Sequence, residues 1–190
     1  YALLLKGDLP ASVQWTKRAY EESLANGFRL LAINTLANLA WAQPLRLGNV
    51  AEGQAVLGRA DEFTEQLSPF DRAARLKTAV AVDEQRYLQF AQGQVQEWSG
   101  PERTKLEAAI ASLESKLNKL RLPPVGEVLL VKSTGKEEGG AAYTRGNAII
   151  LAKLPEGGSL QRLLAHEFFH VLSRRHPELR DRLYALAGFE

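Results

Sequence analysis

Two of the chain's three histidines, His166 and His170, stand four residues apart, with Glu167 directly after the first. On an α-helix, residues four apart share a face, so both imidazoles can address one cation. Glu167 lies about 100° further round the axis, within reach of a water on that cation. The pattern is H-E-x-x-H, and the chemistry it suits is hydrolysis. Zinc takes two imidazoles and an oxygen ligand and keeps a position for water, which becomes a nucleophile near neutral pH once Glu167 takes its proton. Leu160, Leu164, Phe168, Phe169, Val171 and Leu172 cover most of the rest of the circumference, which predicts a helix buried in its middle. A buried carboxylate needs a partner, and a metal-held water supplies one. The alternative is a surface His/Glu stripe on a structural helix.

The elements that must position this helix come from a chain of 190 residues, long enough for one or two compact domains. At 45% hydrophobic, 24% charged and net charge +2, the composition is that of a globular protein. Acid and base are interspersed in both halves, which excludes a nucleic-acid footprint. No apolar run approaches membrane-spanning length. Cysteine is absent, so a zinc site must use histidine and carboxylate. The compartment stays open.

Residues 1–99 read as helices throughout. A Gly–polar–aliphatic step recurs at Gly7-Asp8-Leu9, Gly48-Asn49-Val50 and Gly93-Gln94-Val95, with long Ala- and Leu-rich segments between. Small residues at Ala32, Ala37, Ala40, Ala51, Gly53 and Ala55 suit close helix packing. Pro44 is expected to kink or end a helix. The stretch resembles tetratricopeptide-type repeats, which implies a helical region offering a protein partner a docking surface. An ordinary helical bundle is the alternative. Trp15, Trp41, Trp98, Tyr20 and Tyr87 read as core between stacked helices in preference to a peptide groove.

Gly100-Pro101 punctuates the chain and opens a helix of about twenty residues with one apolar stripe, Leu106, Ile110, Leu113, Leu117 and Leu120. After Leu122-Pro123-Pro124 come two β signals, Val125 to Ser133 and Ala141 to Ala152, joined by a Gly-rich charged turn. Gly135-Lys136 in that turn lacks the order of a phosphate-binding loop. Ser159 is placed to cap the HEFFH helix, and a short helix follows Pro177. The fold class is therefore α+β, with a helical region over 1–99 and a small mixed domain over 102–190.

The order of backing helix, β hairpin and H-E-x-x-H helix resembles the zincin metallopeptidases. That resemblance implies Zn2+ as cofactor, His166 and His170 as ligands, Glu167 as general base, and a peptide or protein substrate. It implies an edge strand over 142–151 that aligns the substrate by main-chain hydrogen bonds. Asn147-Ala148 resembles the Asn-Ala pair with which thermolysin-like enzymes hold the substrate backbone. For the third ligand, the gluzincin pattern places a Glu on the next helix, and Glu190 follows His170 with nineteen residues between. The metzincin spacing points to His176 instead, though Ser173 stands where that pattern has Gly, Pro177 follows at once and no methionine exists. Asp181 and a residue outside this chain are the remaining choices. Tyr184, Tyr143 and His176 are candidate oxyanion donors. The expected function is zinc-dependent peptide hydrolysis; the rival is a non-enzymatic helical-repeat binding module with a structural metal site.

Overall fold

The computed structural model describes residues 45–120, 122–186 and 188, with isolated positions at 18, 21, 22 and 25. The chain forms two compact units, one of Tyr1–Pro44 with Pro124–Gly126, the other of Leu45–Pro123 with Glu127–Glu190. In the first, the four isolated positions are helical, and Arg18 pairs with Glu22 one turn on at 3.1 Å. Trp15, Trp41, Tyr20 and Pro44 lie outside the described residues, as does nearly all of the repeat-like segment before residue 45.

The second unit is α+β. Its sheet has β1 (Leu45–Leu47), β2 (Val95–Gln96), β3 (Val128–Ser133), β4 (Tyr143–Arg145) and β5 (Ala148–Leu151). The order is β1-β3-β5-β4, with β1 and β5 parallel to β3 and β4 antiparallel to β5. The short β2 pairs antiparallel with the far end of β3, at Ser133 and Lys132. Because β5 occupies one side of β3 through Lys132, β1 and β2 share the other side.

Two sequence expectations are corrected here. The stretch 1–99 is not helical throughout, since β1 and β2 both arise within it and join the sheet built by later residues. A boundary at 99–102 therefore does not divide this unit. The two β signals are also not one hairpin. The run 128–133 lies parallel to 148–151, and the hairpin is β4–β5, turned by Gly146-Asn147. Gly146 has φ 52°, a conformation glycine reaches without a Cβ penalty.

The recurring Gly–polar–aliphatic step is two different devices. At Gly48-Asn49-Val50 it ends β1 and starts α1 (Val50–Leu57), where Asn49 caps the helix and Glu52 returns the bond. At Gly93-Gln94-Val95 it ends α4 (Glu84–Gln92) and starts β2. Between them lie α2 (Glu62–Glu65) and α3 (Pro69–Arg75). Gly53 explains how α1 seats on the sheet: a Cβ there would meet Val131 and Val95 at 2.8 Å. Tyr87 and Trp98 are core, as expected, at 0% and 3% exposure. The Trp98 indole donates to the Leu130 carbonyl at 3.2 Å.

β5 is buried along its whole length, so both faces of the sheet are covered at its centre. Ala148 and Ile150 join a core cluster with Leu57, Ala73, Tyr87 and Ala91 from the helices before it. Ile149 and Leu151 point the other way by alternation. The site helix α6 (Ser159–Arg175) packs against β4 and β5, and α5 (Gly100–Leu117) packs on α6. α5 opens at Ser99, whose N–H and hydroxyl both reach Glu102. Lys132, with these bonds from Ser99, holds the Glu102 carboxyl down to about 2 and ties α5 to β3. The apolar stripe is buried at Leu106, Ile110 and Leu113 but has run out by Leu120, which is exposed beyond the helix end. α7 (Pro177–Leu186) packs on α6, with Tyr184 and Phe169 ring centroids 6.4 Å apart. No helix among the described residues is long and apolar enough to cross a membrane.

Glu114 of α5 is half-buried, with an oxygen that has no hydrogen-bond partner, and desolvation pushes its carboxyl up to about 7. A raised native pKa means that folding favours the protonated acid. Its contribution is intact below the ordinary value of 4.5 and is lost as pH rises through about 7. Glu114→Gln should therefore melt about 2–4 °C above the wild type at pH 8 and level with it at pH 4.5, followed by thermal denaturation. An equal shift at both pH values would show that the charge is not the cause.

Candidate metal centre and substrate cleft

α6 begins after the turn at residues 155–158, with Gly158 in the cap position and no side-chain cap bond. Ser159 is thus the first helical residue and not the cap; its hydroxyl instead accepts from Arg162 at 3.2 Å. Leu160, Leu164, Phe168, Val171 and Leu172 are buried, which fixes the rotation of the helix. The polar sector is then set. His166 is exposed, His170 is half-buried, and Glu167 is 5% exposed.

The two imidazoles converge. Nε2 of His170 lies 3.1 Å from Nε2 of His166, with the rings perpendicular and their centroids 4.6 Å apart. Two imidazole nitrogens on one tetrahedral zinc, each about 2.0–2.1 Å from it, stand about 3.3 Å apart. The separation is close to that spacing, and is equally that of a hydrogen bond between the two rings. Among the described residues no group of three His, Cys, Asp or Glu side chains is arranged to hold a metal.

The third-ligand candidates are placed as follows. Glu190 lies outside the described residues. His176 ends α6, where its N–H donates to the Leu172 carbonyl and its Nδ1 lies 3.8 Å from Glu178. Asp181 accepts from Arg180 at 2.8 Å on the exposed side of α7. Neither joins the histidine pair in a metal-holding group. Tyr143 is engaged elsewhere: its hydroxyl donates to Glu137 at 3.2 Å, its ring stacks on Phe63, and desolvation raises its pKa. Tyr184 remains partly exposed beside Phe169.

The expected substrate strand is also corrected. Residues 142–151 are two strands, and β5 is paired on both sides, so the 2% exposed Ala148 has no main-chain edge to offer a peptide. Asn147 lies in the hairpin turn, where its amide donates to the Glu127 carbonyl and its Oδ1 accepts from Arg175. Among the described residues the strand that ends the sheet is β4. A cavity of about 740 Å³ adjoins the start of that strand and reaches His166, with Ala142, Lys153, Arg162 and Leu163 among its walls. β4 is thus the edge strand nearest His166, and it is too short to stand out in the sequence.

The segment carrying these features is also the one with a recognisable relative. Residues 131–178 match the family model of the eCIS core domain. The match runs from the middle of β3 to the start of α7, about a quarter of the chain, and contains His166, Glu167 and His170. No curated protein matches the chain. No solved structure matches it either. The likeness to the eCIS core domain thus covers β4, β5 and the site helix and leaves α1–α5 outside.

Proposed function

We propose that the chain is a zinc-dependent peptidase of zincin type, with α6 as its active-site helix. The observation that carries this reading is the convergence of His166 and His170 at 3.1 Å beside a buried Glu167 on one helix. Zinc, when bound, polarises the scissile carbonyl and makes water acidic enough to attack near neutral pH. His166 and His170 would hold the ion through Nε2, with Glu190 as the third donor on the thermolysin-like pattern. Glu167 accepts the proton of the attacking water and returns it to the leaving amine. Its burial keeps it fixed and raises the strength of that interaction. The side of β4 that no described strand occupies would align the peptide backbone by strand addition. The segment before residue 45 is the candidate surface for a protein partner.

The test is metal content followed by cleavage. Wild-type protein should bind about one zinc per chain in elemental analysis, and His166→Ala or His170→Ala should lose tenfold or more in affinity. Cleavage of a mixed peptide pool should stop on chelation and return with added zinc. A folded sample that takes up no zinc would overturn the reading. Zinc uptake without any cleavage would favour a structural site in a binding module.

A further inference from the structure

A second cavity, of about 550 Å³, lies past the C-terminal turn of α6. Its walls come from residues 59–66, from the end of β4 with its turn, and from Val171, Arg174 and Arg175. Arg145 and Phe63 approach from one face of the sheet, while Thr144, by alternation, and Val171 lie on the other. The cavity therefore sits off the edge of β4, where an added strand would run.

Its chemistry is cationic. Arg145 is committed to Asp61 at 2.9 Å, which leaves Arg59, Arg174 and Arg175 against Glu62 among the described lining residues. Arg174 donates to the Gly146 carbonyl at 3.2 Å and Arg175 to Asn147 Oδ1 at 3.1 Å. Each bond uses one of five N–H donors and holds the guanidinium at the hairpin turn. Desolvation lowers the Arg174 pKa, against the opposing pull of Glu62, Asp61 and Glu167. Planar guanidiniums held in place match a carboxylate in particular. Arg174 follows His170 by four residues, about 6 Å along the helix. A peptide on β4 advances about 3.4 Å per residue, so a group one or two residues from the scissile bond reaches the cavity.

We propose that this cavity is a subsite for a peptide carboxylate, bound by Arg174, Arg175 and Arg59. The source is an Asp or Glu side chain or the C-terminal carboxylate. The proposal rests on the peptidase reading for its ligand being a peptide. Labelled peptides in matched pairs, Glu against Gln and free against amidated C-terminus, are titrated into the full chain without added metal and followed by fluorescence anisotropy. One acidic partner should bind about tenfold to a hundredfold more tightly than its neutral match, and the pair that shows it identifies the source. Arg174→Gln with Arg175→Gln should bring that ratio close to one, and the double Lys variant should restore part of it. Arg59→Gln, on a different segment, should lower it too. A ratio near one in the wild type, or one that survives the Gln variants, overturns the subsite. Cleavage by the zinc-loaded protein is run in parallel. Discrimination without cleavage would sink the hydrolytic reading and leave the subsite, whereas cleavage without discrimination would do the reverse.

Discussion

Glu167→Gln is expected to cleave peptide about a hundredfold to ten-thousandfold more slowly than the wild type, with its zinc retained. The amide keeps the shape of the side chain and its place on α6 but cannot accept the proton of the attacking water. His166 and His170 are untouched, so metal content should stay level. Stability should hold or rise, because a carboxylate 5% exposed is replaced by a neutral group. The measurement is kcat/KM on one peptide together with elemental analysis of the same samples. Equal rates in the two proteins would remove Glu167 from the mechanism. A fall in rate matched by loss of zinc would make it a ligand.

The second large effect is structural. Arg145→Met should cost about 3–5 kcal/mol, because it breaks a buried ion pair by removing one partner. The Arg145 side chain is fully buried. Its Nε donates to Asp61 at 2.9 Å, its Nη1 to the Leu57 carbonyl at 3.2 Å, and its Nη2 to the Arg59 carbonyl. The Phe63 ring lies 5.8 Å from the guanidinium carbon. Methionine fills much of the volume but leaves a carboxylate and two carbonyls without their donor. Thermal or urea denaturation should show the loss as a fall in Tm of about 10–20 °C. A change within about 2 °C would mean that water replaces the guanidinium, and the link from β4 to the 57–61 segment would be weaker than its geometry.

What could be read from the chain was what is local. The H-E-x-x-H spacing, the buried stripe around it and the helix from Gly100 are all set within a few turns, and each stands where the pattern placed it. Pairing partners were not legible. The runs 128–133 and 148–151 are short and apolar, and nothing in such runs says whether they lie parallel or antiparallel. β1 and β2 are three and two residues long, too short to interrupt a helical reading of 45–99. That β5 is a central strand and β4 the edge was hidden for the same reason. The partner of Arg145 gave no signal: its carboxylate lies 84 residues upstream. Arg174 and Arg175 close α6, and their grip on a hairpin turn 28 residues upstream needed the fold to be seen.

The sharing of one side of β3 by β1 and β2 has a consequence for the order of folding. Leu45 meets Val128, and Val95 meets Ser133, so both pairings close long loops before they return any energy. Such a sheet has high contact order and folds slowly, although α6 itself can form on its own in microseconds. The β4–β5 hairpin, closed by Gly146-Asn147, is as local as α6 and can form nearly as early. What arrives late is the pairing of β1 and β2 with β3, which completes the sheet.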